Sequence, residues 1–149
     1  NPIKDFALLL ELWSIYRKLK PAVVLHFTIK PNVYGTLAAA LLGIPSVNNV
    51  CGLGTVFLKD NLVSKIAIGL YKLSFRFPSK IFFQNPDDLK LFVSRKLVKE
   101  EVADIVPGSG INLEHFKPVN FKRNETFTFL MISRLITDKG VLEYVDAIK

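Results

Sequence analysis

Cysteine, histidine and long apolar runs are scarce in this sequence, and each scarcity excludes something. One cysteine, Cys51, in 149 residues leaves no internal disulfide and fits a reducing compartment. There are two histidines, His26 and His115, and no Cys-x-x-Cys or Ser-His-Asp set accompanies them. Metal and covalent nucleophilic chemistry therefore have no support. No apolar run reaches the roughly 18 residues that a membrane-spanning helix needs. Glu11, then Gly43 with Pro45, then Lys65 with Lys72 interrupt the longest candidates. The first residues lack a basic region followed by an apolar run and a cleavage site, so they do not read as a signal peptide. The chain starts at Asn1 without a methionine and stops inside a helical pattern, which predicts a piece of something longer.

What is present is apolar and basic. Half of the residues are hydrophobic, enough for a proper core and against disorder. A formal charge of +7 and a pI near 9.6 predict an anionic partner. Nucleic acid, an acidic membrane surface and a phosphorylated small molecule all satisfy that balance. Nucleic acid ranks last, because no recognised binding motif accompanies the charge.

Periodicity predicts alternating helices and strands. Phe6, Leu9, Trp13 and Tyr16 make one helical stripe beside Leu8, Leu12, Ile15 and Leu19, and Pro21 stops the helix. Ala22 to Phe27 reads as a strand ending near His26, a position where a lone histidine is more often structural than catalytic. Asn32 is placed to cap a helix over 33–42, which Gly43 and Pro45 end. A strand over 46–50 leads into Cys51-Gly52-Leu53-Gly54, where two glycines permit close backbone approach to a ligand. The next helix, 62–77, carries Lys65, Lys72 and Arg76 within about 40° of one another. That stripe is either the solvated edge of a core helix or a face for anionic lipid head groups. A strand over 80–84 precedes Asn85-Pro86-Asp87-Asp88, which starts a helix by cap, first-turn proline and first-turn acids. A short strand over 103–106 runs into Pro107-Gly108-Ser109-Gly110, and 112–125 reads as a polar connector. The fold class is thus α/β, a Rossmann-like parallel sheet with helices on both faces.

The most informative stretch is the last. Phe127 to Ile132 reads as a buried strand, and Val141, Leu142, Val145 and Ile148 recur at helical spacing. Between them lies Ser133-Arg134-Leu135-Ile136-Thr137-Asp138-Lys139-Gly140, where Thr137 or Asp138 is placed to cap the helix. Two fixed cations beside a helix N-terminus suit a phosphate or diphosphate. Against this, a strand-to-helix turn carries charge simply when it is wet.

Five phrases in order carry a family resemblance: His26 to Gly35, Gly52 to Phe57, Phe82 to Asp88, Pro107 to Asn112, and Ser133-Arg134-Leu135 with Lys139-Gly140. Together they resemble a family 4 retaining glycosyltransferase of the two-domain GT-B fold. The nearest branch builds lipid-linked or surface polysaccharides. The resemblance implies that residues 1–112 are the later part of an acceptor-side domain and 113–123 a linker. It makes 124–149 the start of a donor-side domain. It implies that Arg134 and Lys139 hold the diphosphate of a nucleotide sugar, without metal or other cofactor. Gly52, Gly54, Gly108 and Gly110 then belong to loops near the donor. The acceptor is a glycan or lipid-linked glycan, and the location is cytoplasmic, peripheral on the inner face of the membrane. Lys65, Lys72 and Arg76 are the membrane-facing candidates. Many relatives carry a histidine where Cys51 stands, so Cys51 is not assigned a catalytic role. The paired glutamates of the family and its first glycine-rich loop have no counterpart here, so the parent is expected to be the working enzyme.

Overall fold

The computed structural model describes residues 2–53, 57, 61–118 and 126–149. They form two compact units, Asn1–Ile111 and Asn112–Lys149. In the first unit the elements are α1 (Pro2–Leu19), β1 (Val24–Phe27), a wide π-helical turn (Pro31–Gly35) continuing into α2 (Thr36–Leu41), and β2 (Ser46–Val50). Then come α3 (Leu62–Ser74), β3 (Lys80–Phe83), α4 (Pro86–Ser94), a 3-10 turn (Glu100–Val102) and β4 (Ala103–Ile105). The four strands are all parallel, in the order β1-β2-β3-β4. The Rossmann-like α/β class is therefore observed.

Burial alternates along the strands as a pleated sheet requires. His26, Asn48, Ile81, Val50 and Phe83 point to one face and are buried. Leu25 and Phe27 on the other face are exposed, and Val47, Asn49 and Phe82 half-buried. Right-handed crossovers between strands laid down in sequence order put successive helices on the same side. Among the described residues, helices cover the buried face of the sheet.

That layer is sealed by aromatic rings. Tyr71 of α3, Phe75 at its C-cap, Phe83 of β3 and Phe92 of α4 are all at most 3% exposed. Phe92 meets Tyr71 edge-on at 5.3 Å and 87°, and Phe83 at 5.2 Å and 64°. Such pairs add about 0.5–1.5 kcal/mol each beyond the area they bury. α1 buries nothing completely; Leu8, Leu9, Leu12, Trp13 and Tyr16 are half-covered, and it lies on α2 and the π turn.

Local rules set several boundaries. Asn85 caps α4 as predicted, its side-chain oxygen accepting from Asp88 N at 2.8 Å with Pro86 at the first position. Asn61 caps α3 in the same way through Ser64 N at 2.8 Å. α3 stops at Ser74 rather than at residue 77, because Pro78 disfavours helical backbone just before it and Phe77 N turns back to Ser74 O. Arg76 therefore lies past the helix, not on it. Asn32 is not the cap of α2: the helical turn begins at Pro31, and Asn32 sits inside it at 1% exposure. Its amide donates instead to Asn49 O at 2.8 Å.

In the second unit, α5 spans Val141–Ile148 and follows a 3-10 turn over Thr137–Lys139. The strand expected over 127–132 is absent: Phe127, Phe129, Leu130 and Ile132 are 74–87% exposed and join no ladder. A strand exists through its neighbours' N–H and C=O groups, and the described residues of this unit offer no second strand. The segment is tied down instead by Tyr144 of α5, whose hydroxyl donates to Phe129 O at 3.0 Å.

Candidate functional site

The turn from Ser133 to Gly140 leaves its two cations exposed. Ile136 N bonds back to Arg134 O at 2.8 Å, Lys139 N to Ile136 O at 3.0 Å and Gly140 N to Thr137 O at 3.0 Å. These bonds fold the turn back on the carbonyls of Arg134, Ile136 and Thr137, and Lys139 stands just before the N-cap residue of the helix. Neither Thr137 nor Asp138 caps α5, contrary to the sequence reading. Both lie in the 3-10 turn, and the N-cap is Gly140 at φ +72°, a left-handed conformation that costs glycine nothing. Gly140 has no side chain to accept from the first turn of α5, and among the described residues no other side chain does. Those N–H groups, the positive end of the helix and the lysine beside it are chemically suited to an anion.

In the first unit the loops expected near a ligand leave the carboxyl ends of the strands. Gly52 follows β2, and Gly108 and Gly110 follow β4, with φ of +151°, +74° and +69°. A Cβ at any of the three would meet nothing within 4 Å, so the backbone there is open to close approach. Gly54 lies outside the described residues. Gln84 reaches Ser109 Oγ at 3.5 Å, bridging the ends of β3 and β4. Cys51 is exposed and free.

His26 belongs to the core. Its Nδ1 is 2.9 Å from Asn48 Oδ1 and its Nε2 is 3.0 Å from the Tyr16 hydroxyl. An amide oxygen only accepts, so Nδ1 carries the proton and Nε2 accepts from Tyr16, a neutral imidazole. Burial depresses its pKa below 6.5, against the opposing pull of the Asn48 bond. Asn48 also donates to Thr36 Oγ1 at 2.8 Å and to Asn32 O at 3.2 Å. Gly35 packs directly on the ring: a Cβ there would stand 2.6 Å from His26 Nε2. This network, which sequence reasoning missed beyond His26, locks the π turn against β1 and β2. Consecutive asparagines inside a strand were its one sequence signal.

Of the basic stripe, Lys65, Lys72 and Arg76 are all exposed. The structure adds apolar neighbours: Leu62, Ile66 and Leu73 lie on the same outward side of α3 and are 73, 56 and 45% exposed. The solvated-edge reading predicts polar residues there. Among the described residues no helix is long and apolar enough to cross a membrane, and no three potential metal-ligating side chains cluster.

A parallel α/β sheet with glycine loops at its strand ends, in a chain that goes on to an exposed cationic turn and a helix, defines a Rossmann-like protein. The Glycosyl transferase 4-like family model matches residues 1–85, and the chain belongs to that family. It is 32% identical, over 99% of its length and 43% of the relative's, to the N,N'-diacetylbacillosaminyl-diphospho-undecaprenol alpha-1,3-N-acetylgalactosaminyltransferase of Campylobacter jejuni subsp. jejuni serotype O:2. It is 26% identical, over 99% of its length and 41% of the relative's, to the UDP-Gal:alpha-D-GlcNAc-diphosphoundecaprenol alpha-1,3-galactosyltransferase of Escherichia coli. The chain therefore spans about two-fifths of the length of these curated relatives.

Proposed function

We propose that the full-length protein is a retaining, hexosyl-type glycosyltransferase that moves a sugar from a nucleotide-sugar donor to a lipid-linked glycan. Both named relatives are glycosyltransferases, and their names carry undecaprenol-diphosphate-linked sugars. Residues 1–112 serve the acceptor side of a two-domain GT-B enzyme, 113–123 link, and 124–149 open the donor side. Arg134 and Lys139 hold the donor diphosphate. Gly52, Gly54, Gly108 and Gly110 let the backbone pass close to it.

The observation that carries this reading is the uncapped first turn of α5 beside an exposed arginine and lysine. The leaving group in such a transfer is a nucleoside diphosphate, whose charge grows as the glycosidic bond breaks. Fixed cations and oriented N–H groups stabilise that growing charge more than the ground-state donor, so they act on turnover. Protein cations then take the part that a divalent metal plays elsewhere, and no cofactor is required.

The test is steady-state transfer from the cognate nucleotide sugar with and without a chelator. Arg134→Ala and Lys139→Ala each lower kcat roughly a hundred- to thousandfold while the protein stays folded, and magnesium rescues neither. Near-full turnover in either variant, or a wild type that chelator silences, refutes the assignment.

A lipid-linked acceptor needs the enzyme at a membrane. The outward side of α3, apolar in the middle and cationic along one edge, has the composition of an interfacial helix. We assign it to docking on an anionic inner-leaflet surface from the cytoplasmic side, with Lys65, Lys72 and Arg76 as its basic contacts. A non-catalytic anion-binding module is the disfavoured alternative, since the family is one of transferases.

A further inference from the structure

At the end of the sheet opposite the glycine loops, the C-terminal ends of α3 and α4 border a cleft of about 430 Å³. Its floor includes Phe75, Leu97 and Val98, each at most 7% exposed. Its charged lining is Lys72, Arg76, Lys96 and Lys99 against Glu101. Among the described residues none of these four cations joins an ion pair.

Cations gather at helix C-termini for a bland reason, because the last carbonyls carry about half a negative charge per helix. Two helix ends account for about one unit of charge. The side chains of the cleft supply a formal excess of three over Glu101, so about two positive charges are left without an answer. A concave wall of low dielectric focuses that excess inward. The complement is a compact anionic group; the phosphodiester of a lipid head group supplies about one negative charge, and a terminal phosphate nearly two. Lys72 lines the cleft and edges the outward side of α3, and Arg76 lines it just past the end of that helix, while Leu73 and Phe77 beside them are 45 and 51% exposed. A phosphate bound there sits beside apolar side chains that face away from the protein, which is the arrangement of a lipid head group above its chains.

We infer that this cleft seats the phosphate of an anionic lipid head group, drawing the outward side of α3 into the membrane interface. The inference rests on the membrane-docking part of the proposed function and is independent of the donor site. It adds Lys96 and Lys99, which lie outside α3, to the membrane contact, and it turns diffuse attraction into one seated head group.

The experiment is vesicle sedimentation of the full-length protein with phosphatidylcholine alone or mixed with phosphatidylglycerol. Lys96→Gln/Lys99→Gln should weaken binding to the mixed vesicles roughly 30-fold, from about 1 kcal/mol per cation near the surface. Lys4→Gln/Lys18→Gln removes the same net charge from exposed positions of α1 and should change binding severalfold less. Phosphorus NMR of inorganic diphosphate, compared between wild type and the Lys96→Gln/Lys99→Gln variant because both keep the diphosphate turn at Arg134 and Lys139, separates a lipid head group from a free phosphate. Equal losses in the two double variants overturn the seated head group while leaving membrane docking intact. Wild type that ignores phosphatidylglycerol overturns docking and cleft together. Diphosphate bound at the cleft, without any effect of the Lys96/Lys99 change on vesicles, overturns the lipid assignment.

Discussion

Gly35→Ala probes the described glycine at which an added Cβ would meet the closest neighbour. The new methyl carbon would stand 2.6 Å from His26 Nε2 and 2.9 Å from Cδ2, about 0.8 Å short of ordinary van der Waals contact. The ring has nowhere to retreat: Asn48 holds Nδ1 at 2.9 Å, Tyr16 holds Nε2 at 3.0 Å, and the residue is 3% exposed. Overpacking of a rigid core costs about 1–3 kcal/mol, and displacing the ring from Tyr16 loses a further 1 kcal/mol or so. Alanine returns about 1 kcal/mol through its better helix propensity. The expected net loss is therefore about 1–3 kcal/mol. Gly69→Ala is the internal control, since Gly69 is exposed on α3 and a Cβ there meets nothing within 4 Å. It should stabilise by about 0.5–1 kcal/mol. Urea midpoints with unchanged slopes report both. If the two substitutions shift the midpoint in the same direction, the contact between Gly35 and His26 is not what holds this glycine. Combining Gly35→Ala with His26→Ala should then recover part of the loss, a non-additivity expected of residues in contact.

Three further outcomes follow from the same geometry. Burial depresses the His26 pKa, so below about pH 6.5 the unfolded chain binds a proton that the folded chain refuses; stability is flat above that pH and falls beneath it by up to about 1.4 kcal/mol per unit. Urea midpoints between about pH 5 and 8 should show the slope in wild type and its loss in His26→Gln. Asn48→Leu leaves the His26 ring N–H, Thr36 Oγ1 and Asn32 O without their shared partner and should cost at least about 2 kcal/mol by the same assay. Asn85→Ala removes the cap on Asp88 N and should cost about 1 kcal/mol, visible as faster amide exchange in the first turn of α4.

What was legible in the sequence was whatever depends on neighbours in the chain. The parallel α/β alternation, the cap at Asn85 and the stop at Gly43 are all set within a few residues. What failed depends on partners far away. Phe127 to Ile132 has strand composition, but composition cannot supply the neighbouring strand whose carbonyls a ladder needs. Asn32 has the chemistry of a cap, yet its amide is claimed by Asn49, which only the pairing of β1 with β2 brings close. Thr137 and Asp138 were placed by spacing from an apolar stripe, and spacing cannot foresee the separate turn that ends at Gly140. Lys65, Lys72 and Arg76 were found by periodicity, whereas Lys96 and Lys99 follow α4 and join the same cleft as Lys72 and Arg76 only through the packing of α3 beside α4.

The π turn at Pro31–Gly35 bears on how this protein can change over time. A turn of this kind holds one residue more than the α-helix it interrupts, and it reads as an insertion that the helix absorbed. Deleting any one residue between 31 and 35 would restore regular spacing and leave the backbone bonds intact. It would also rotate everything before it by about 100° relative to α2. Asn32 would leave the carbonyl of Asn49, and the glycine under the imidazole would give way to a residue with a side chain. Length is therefore constrained here independently of composition. Lineages that keep the count from the imidazole to α2, with Asn32 and Gly35 in place, keep the packing, and those that lose a single codon lose it all at once.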